Sequence, residues 1–243
     1  VSEATGDNAA GIAGGGDAPS APRGELFRDP STLLRWVAAL LILGSLASLI
    51  TLMLRGFEYF LLTQIEAGVF ASRDAVMAAA AESDGRVVLS GNVRAILFFA
   101  TCIPFGMWIY RASKNTRALG ATGLRSSPGW AVGSYFVPIV NLFAPFIAMR
   151  EIWQASADPG NWPAARRTPL LGWWWFLWLA AAVSGSVAQG ILTKPGSMEA
   201  AKAGSLVASA QSLFYLALNI VAFLLIRRIT ANQLWQARIA QVF

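Results

Sequence analysis

Five times along this chain, charge disappears for roughly the length of a bilayer crossing. The uncharged runs lie between Arg35 and Arg55, Arg94 and Arg111, Arg125 and Arg150, Arg167 and Lys194, and Lys202 and Arg227. A helix crosses a hydrocarbon core about 30 Å thick with roughly 20 apolar residues. In that medium only helices and closed barrels keep every backbone polar group bonded, and long unbroken apolar runs select the helix. Composition agrees: 56% of residues are hydrophobic and 13% charged, against about 25% charged in an ordinary soluble domain. The Arg94–Arg111 run is short, at 16 residues, so its flanking arginines must snorkel to the headgroups.

The third run is ambiguous. "GWAVGSYFVPIVNLFAPFIAMREIW" carries Gly129, Gly133, Pro138, Asn141 and Pro145 within its 24 uncharged residues, and such residues break or bend a helix. Either it is a kinked full span, or it descends over 130–137, breaks at "PIVN" and ascends over 142–153. Charge discriminates between the two. If it does not cross and the N-terminus lies inside, 13 of the 19 basic residues collect inside and six outside. If it crosses, the split is nine against ten, and the positive-inside bias vanishes. The expectation is an all-α membrane protein with four transmembrane helices, at about 33–54, 94–111, 170–193 and 204–226. A re-entrant or broken-helix segment at about 129–153 separates the second from the third. Both termini are then cytoplasmic, and most tryptophans gather near that rim.

Residues 1–30 are rich in Gly, Ala, Ser and Pro and are expected to be a disordered cytoplasmic tail, ahead of a membrane domain over 31–243. The first apolar run comes late and is long, so it reads as a retained span and not a cleaved signal. Residues 56–93 read as amphipathic helix lying on or extending from the membrane. Ala180, Ser184 and Ala188 repeat every four residues, as do Ser205 and Ser209. Small residues so spaced let backbones approach, either between the last two spans or across a dimer. The stretch after Arg227 continues the last span as an interfacial helix. Glu151, beside Arg150, is expected in a rim salt bridge.

The chain has no histidine and one cysteine, Cys102. Histidine-ligated metals, Ser-His-Asp triads and Cys-His dyads are excluded. None of the four apolar runs holds an ionisable residue of the kind that marks proton relays. The net charge of +6 fits cytoplasmic loop arginines better than nucleic-acid binding.

"WIYRASKNTRALG" followed by "SSPGWAVGSYFVPIVNLFAPFIAMREIWQAS" resembles a bacterial membrane family, domain of unknown function 4328. Trp108, Arg111, Ala112 and Asn115 carry the first part of the resemblance, and Gly129, Trp130, Ala131 and Gly133 the second. Pro138, Asn141, Leu142 and Pro145 carry the third, and Ile152, Trp153, Ala155 and Ser156 the last. The resemblance implies a multi-pass bacterial inner-membrane protein and brings no activity with it. The expected role is a non-enzymatic scaffold or regulatory subunit that binds a protein partner or anionic lipid at its cytoplasmic rim. The candidate rim residues are Trp108, Arg111, Asn115, Trp130, Pro138, Asn141, Pro145, Arg150 and Trp153. The competing reading is a transporter or channel for a small neutral solute, lined by the broken helix. Membrane lipids are expected as partners, with homo-oligomerisation open; no cofactor, metal or nucleic acid is expected.

Overall fold

The computed structural model describes residues 26–193 and 196–242, so residues 1–25 of the expected tail lie outside the described residues. Among those described there are helices and turns and no strand. The first two helices, α1 (Ser31–Glu66) and α2 (Arg73–Ala118), form an antiparallel hairpin. At the start of α1, Asp29 Oδ1 accepts from the Ser31 amide at 2.7 Å. Hydrogen bonds from Ser31 hold the Asp29 carboxyl below its usual range. Gly68, with φ of 69°, ends the helix: the amides of Gly68 and Val69 return to the carbonyls of Ile65 and Gln64. Ser72 caps α2 by accepting from Ala75 N at 3.2 Å, and Asp74 complements the first turn. At 1.5 Å per residue, α1 and α2 are about 54 and 69 Å long. The hairpin therefore extends well beyond its apolar runs, and residues 56–93 lie mostly in that extension.

The last two helices, α5 (Pro169–Thr193) and α6 (Met198–Val242), are also antiparallel and tightly packed. The face of α5 buried against α6 shares Ala188 with the Ala180–Ser184–Ala188 row but otherwise runs one residue on, through Ala181 and Gly185. Ala181 and Ala188 are buried, and a Cβ built on Gly185 would stand 2.2 Å from Gln211 Nε2. Ser184 instead donates to Ala180 O in its own helix. One residue rotates a helix face by about 100°, and spacing alone does not say which of two adjacent small-residue rows meets the partner. Nearer the turn, Gly204 faces Leu192, whose Cδ2 and Cγ would lie 2.7 and 2.8 Å from an added Cβ.

Helix α6 also packs along α1, where Asn219 Nδ2 donates to Ser45 Oγ at 3.3 Å. No Cα of α2 comes within 8 Å of one in α5. The four long helices thus form an open arc in the order α2, α1, α6, α5. Residues 129–153 do not make one span-length helix. They divide into α3 (Pro128–Gly133), two 3-10 turns at Ser134–Phe136 and Val140–Leu142, and α4 (Ala144–Ala157). The chain folds back so that α3 packs on α4, and this pair wedges into one end of the gap between α2 and α5.

Apolar side chains such as Ile50, Ile96, Ile103 and Val183 point outward and are more than half exposed, as a lipid-facing surface requires. The fully buried core lies at one end instead, where Val37, Trp108, Leu225, Ile226 and Ile229 meet. Charge is divided in the same sense. That end carries Arg28, Arg35, Arg111, Lys114, Arg117, Arg125, Arg150, Arg166, Arg167, Arg227, Arg228 and Arg238 against Asp29, Glu151 and Asp158. At the other end Arg55, Arg73, Arg86, Arg94 and Lys202 meet six acids, with Arg55–Glu58 at 2.8 Å and Lys202 paired to Glu66. These are called the basic and the balanced end below.

Close packing at Gly204 is testable. Gly204→Val forces α5 from α6 and is expected to destabilise by about 1–3 kcal/mol, read as a lower thermal transition in detergent. Gly85→Ala, with nothing within 4 Å of the new methyl, should be neutral or stabilising by up to about 1 kcal/mol.

Candidate functional site

The residues singled out by sequence do not converge on one surface. At the basic end, Asn115 is fully buried. Its Oδ1 accepts from Arg28 N at 3.1 Å, and its Nδ2 donates to Arg28 O at 2.8 Å and to Gln233 Oε1 at 3.1 Å. Gln233 is equally buried and donates to Ala112 O at 2.9 Å and Ser156 Oγ at 3.0 Å. Every donor of both amides is used. One turn away, Trp108 Nε1 donates to Thr230 Oγ1 at 3.1 Å. Trp153 Nε1 donates to Arg166 O at 3.0 Å. These groups hold the start of α1, the end of α2, α4 and the extension of α6 together. Pro145 is buried, Trp130 and Pro138 are exposed, and Arg111 and Arg150 are half-buried, with no hydrogen bond or ion pair to the described residues. Glu151 does not pair with Arg150; it is buried and accepts from the amides of Arg125 and Ser126 at 3.3 and 3.0 Å. The stretch after Arg227 continues the last span within α6, with Ile229, Thr230 and Gln233 of one face buried against the other helices.

Asn141 points elsewhere, into a cavity of about 690 Å³ lying between α1, α2, α5 and α6 and floored by the broken segment. Two causes create this space. Helices α2 and α5 stay apart, and much of the lining is small: Gly44, Ser48, Gly91, Ala95, Gly106, Ala182 and Ala222. Its walls are aromatic, with Phe98, Phe99, Phe105, Trp174 and Trp178.

The floor has unusual backbone. Pro138 and Pro145 supply no amide, and Ile139 has φ of 67° and ψ of −50°, with Val140 N donating to Pro138 O at 2.7 Å. This is the rare positive-φ γ-turn, disfavoured for a β-branched residue. It sets the adjoining turns so that Tyr135 and Asn141 face inward. Tyr135 Oη and Asn141 Oδ1 are buried and make no hydrogen bond to the described residues. Other polar groups of the lining are occupied: Ser48 and Thr101 donate to carbonyls of their own helices at 2.8 and 2.7 Å, and Asn219 to Ser45. Far along α2, Arg94 donates to Ser212 Oγ at 3.3 Å and lies 4.9 Å from the Tyr215 ring centre. Sequence marked Asn141 but neither Tyr135 nor Gln233, which look like an ordinary interfacial aromatic and a polar tail residue.

Such an arrangement defines a class: an all-α chain with four helices long and apolar enough to cross a membrane, built round a pocket between them. A family model described as Domain of unknown function (DUF4328) matches residues 71–231, and the chain belongs to that family. The matched stretch takes in α2, the broken segment, α5 and most of α6, while α1 precedes it. No curated protein and no solved structure gives a significant match.

The clamp at the basic end should behave as a unit. Asn115→Ala and Gln233→Ala each strand buried partners and are expected to cost about 1–3 kcal/mol. The double variant should cost less than the sum by at least about 0.5 kcal/mol, measured by thermal unfolding in detergent. Strict additivity would show the two amides to be independent.

Proposed function

We propose that this protein is a non-enzymatic, multi-pass protein of the bacterial cytoplasmic membrane that binds a lipid-type molecule in the cavity between its helices. One observation carries the reading: the cavity presents Tyr135 Oη and Asn141 Oδ1, both buried and unbonded, inside an aromatic wall. Its volume lies within the roughly 300–1,000 Å³ of ligand pockets. An unpartnered buried polar atom carries a desolvation penalty that a ligand group can relieve. The lining includes Cys102 but no carboxylate, which favours binding over acid–base chemistry. The role expected at the rim is thereby moved inward. Arg111 and Arg150 keep an auxiliary part, attracting an anionic leaflet by about 1 kcal/mol each.

The basic end faces the cytoplasm in this reading, and residues 129–153 enter from that side and return to it. The charge division between the ends supports this orientation, and the fold-back of α3 on α4 supports the return. Irregular backbone at membrane depth is tolerated where protein or a cavity surrounds it. Cysteines at the exposed positions Ser127, Gly160 and Ala71, in a Cys102→Ala background, provide the test. With an impermeant thiol reagent outside intact cells, the first two are expected to stay unlabelled and the third to react. Labelling at only one of Ser127 and Gly160 would establish a crossing.

For the cavity, protein purified in mild detergent should carry a bound lipid detectable by native mass spectrometry. Ala95→Trp, which fills the cavity from an exposed helix position, is expected to lower its occupancy at least tenfold. Unchanged occupancy would place any bound lipid elsewhere. Passage of a small neutral solute is a second reading, favoured because the broken segment lines the space. Glycerol-driven swelling of reconstituted liposomes above protein-free controls, abolished by Asn141→Leu, would select it.

A further inference from the structure

The cavity has a second polar pole. Arg94 lines it from α2, and its guanidinium is engaged by Ser212 and the Tyr215 ring but by no carboxylate. The other arginine of this region, Arg55, is already neutralised by Glu58 at 2.8 Å, and Ser205 holds the same Glu58 oxygen at 2.9 Å. Arg94 is therefore an uncompensated cation beside an apolar space. Arg94 is half-buried, and a guanidinium offers a planar fork matched to carboxylate or phosphate. Among the described residues, one of its five N–H donors has an acceptor.

The opposite pole, Tyr135 and Asn141, is neutral and belongs to the broken segment, whose helix α3 sets Val132 against Gly106. Arg94 and Gly106 are twelve residues apart on α2, or about 18 Å along the axis. Phe98, Phe99, Cys102 and Phe105 fill the interval, with Trp174 and Trp178 opposite. One end holds a cation, and a long apolar channel leads away from it. Because α2 and α5 do not meet, a chain can enter sideways from the bilayer.

We infer that the cavity binds an amphiphile with an acidic head and a long alkyl tail, its carboxylate or phosphate seated on Arg94 and its tail running along α2 toward Trp174 and Trp178. This rests on the lipid-binding reading above and adds the head-group class and the orientation.

The test compares two ligands of one chain length, hexadecanoate and hexadecanol, with the full chain in phosphatidylcholine nanodiscs. Hexadecanoate is expected to bind at least tenfold more tightly. Arg94→Gln should erase that preference while leaving hexadecanol binding intact, and Arg94→Lys should restore part of it. Thermal unfolding of each variant checks that it is folded. Equal binding of both ligands by the unaltered protein, or an acid preference that survives in Arg94→Gln, overturns the inference and leaves the cavity reading standing. Absence of binding by both ligands overturns the cavity reading as well. Adding phosphatidylglycerol to the nanodiscs separates the sources of the head group. Competition with hexadecanoate identifies a bilayer lipid as an occupant, and no competition identifies a free single-chain acid; both outcomes support an anion on Arg94.

Discussion

The buried amide pair Asn115–Gln233 decides where the end of α2 can stand. It joins α2 to the extension of α6 and, through the backbone of Arg28, to the approach to α1. Both side chains are fully buried, where a half-satisfied network would be costlier than none, so the geometry is all or nothing. With α2 held there, it leans on α1 and leaves α5 untouched. The gap between α2 and α5, and hence the cavity, follows from that placement.

The broken segment is the complement of that gap. A continuous helix there would satisfy its own backbone and present a smooth side. Two prolines and the positive-φ turn at Ile139 instead yield short arms that fold on each other. Strained backbone persists only where its surroundings over-determine it. Here the 3-10 turns on either side of Ile139 pack on each other and on α3 and α4. The outcome is an inward-facing Tyr135 and Asn141 with unfilled hydrogen-bonding capacity, at the opposite pole from Arg94.

The two ends of the molecule are built by different physics. At the basic end, side chains donate to backbone carbonyls, stapling both connecting loops: Arg117 to Ser126 O, Trp162 to Thr122 O, and Gln154 to Ala165 O. Arg111 and Arg150 there make no hydrogen bond or ion pair to the described residues. At the balanced end, the Lys202–Glu66 ion pair and the Ser205–Glu58 hydrogen bond join α1 to α6. The first end is well buried, and the second projects as a long hairpin.

Much of the architecture was legible in the sequence because membrane solvation acts on composition. Uncharged runs of span length require helices, and four helices follow wherever the chain is long and apolar enough. Pro138 and Pro145 likewise disclosed the break, since a missing amide is a local covalent fact. The rim site was not legible. Trp108, Asn115 and Trp153 have the chemistry of an interfacial binding surface, but tertiary packing turned them inward and spent their donors on Thr230, Gln233 and the backbone. Nor could spacing show that the small-residue face of α5 runs through Ala181, Gly185 and Ala188, because helix rotation is settled by the partner helix. Arg94 marked a run boundary in the sequence. Its place as a cation lining a cavity, with no carboxylate partner among the described residues, depends on α2 and α5 standing apart, and only three-dimensional contact decides that.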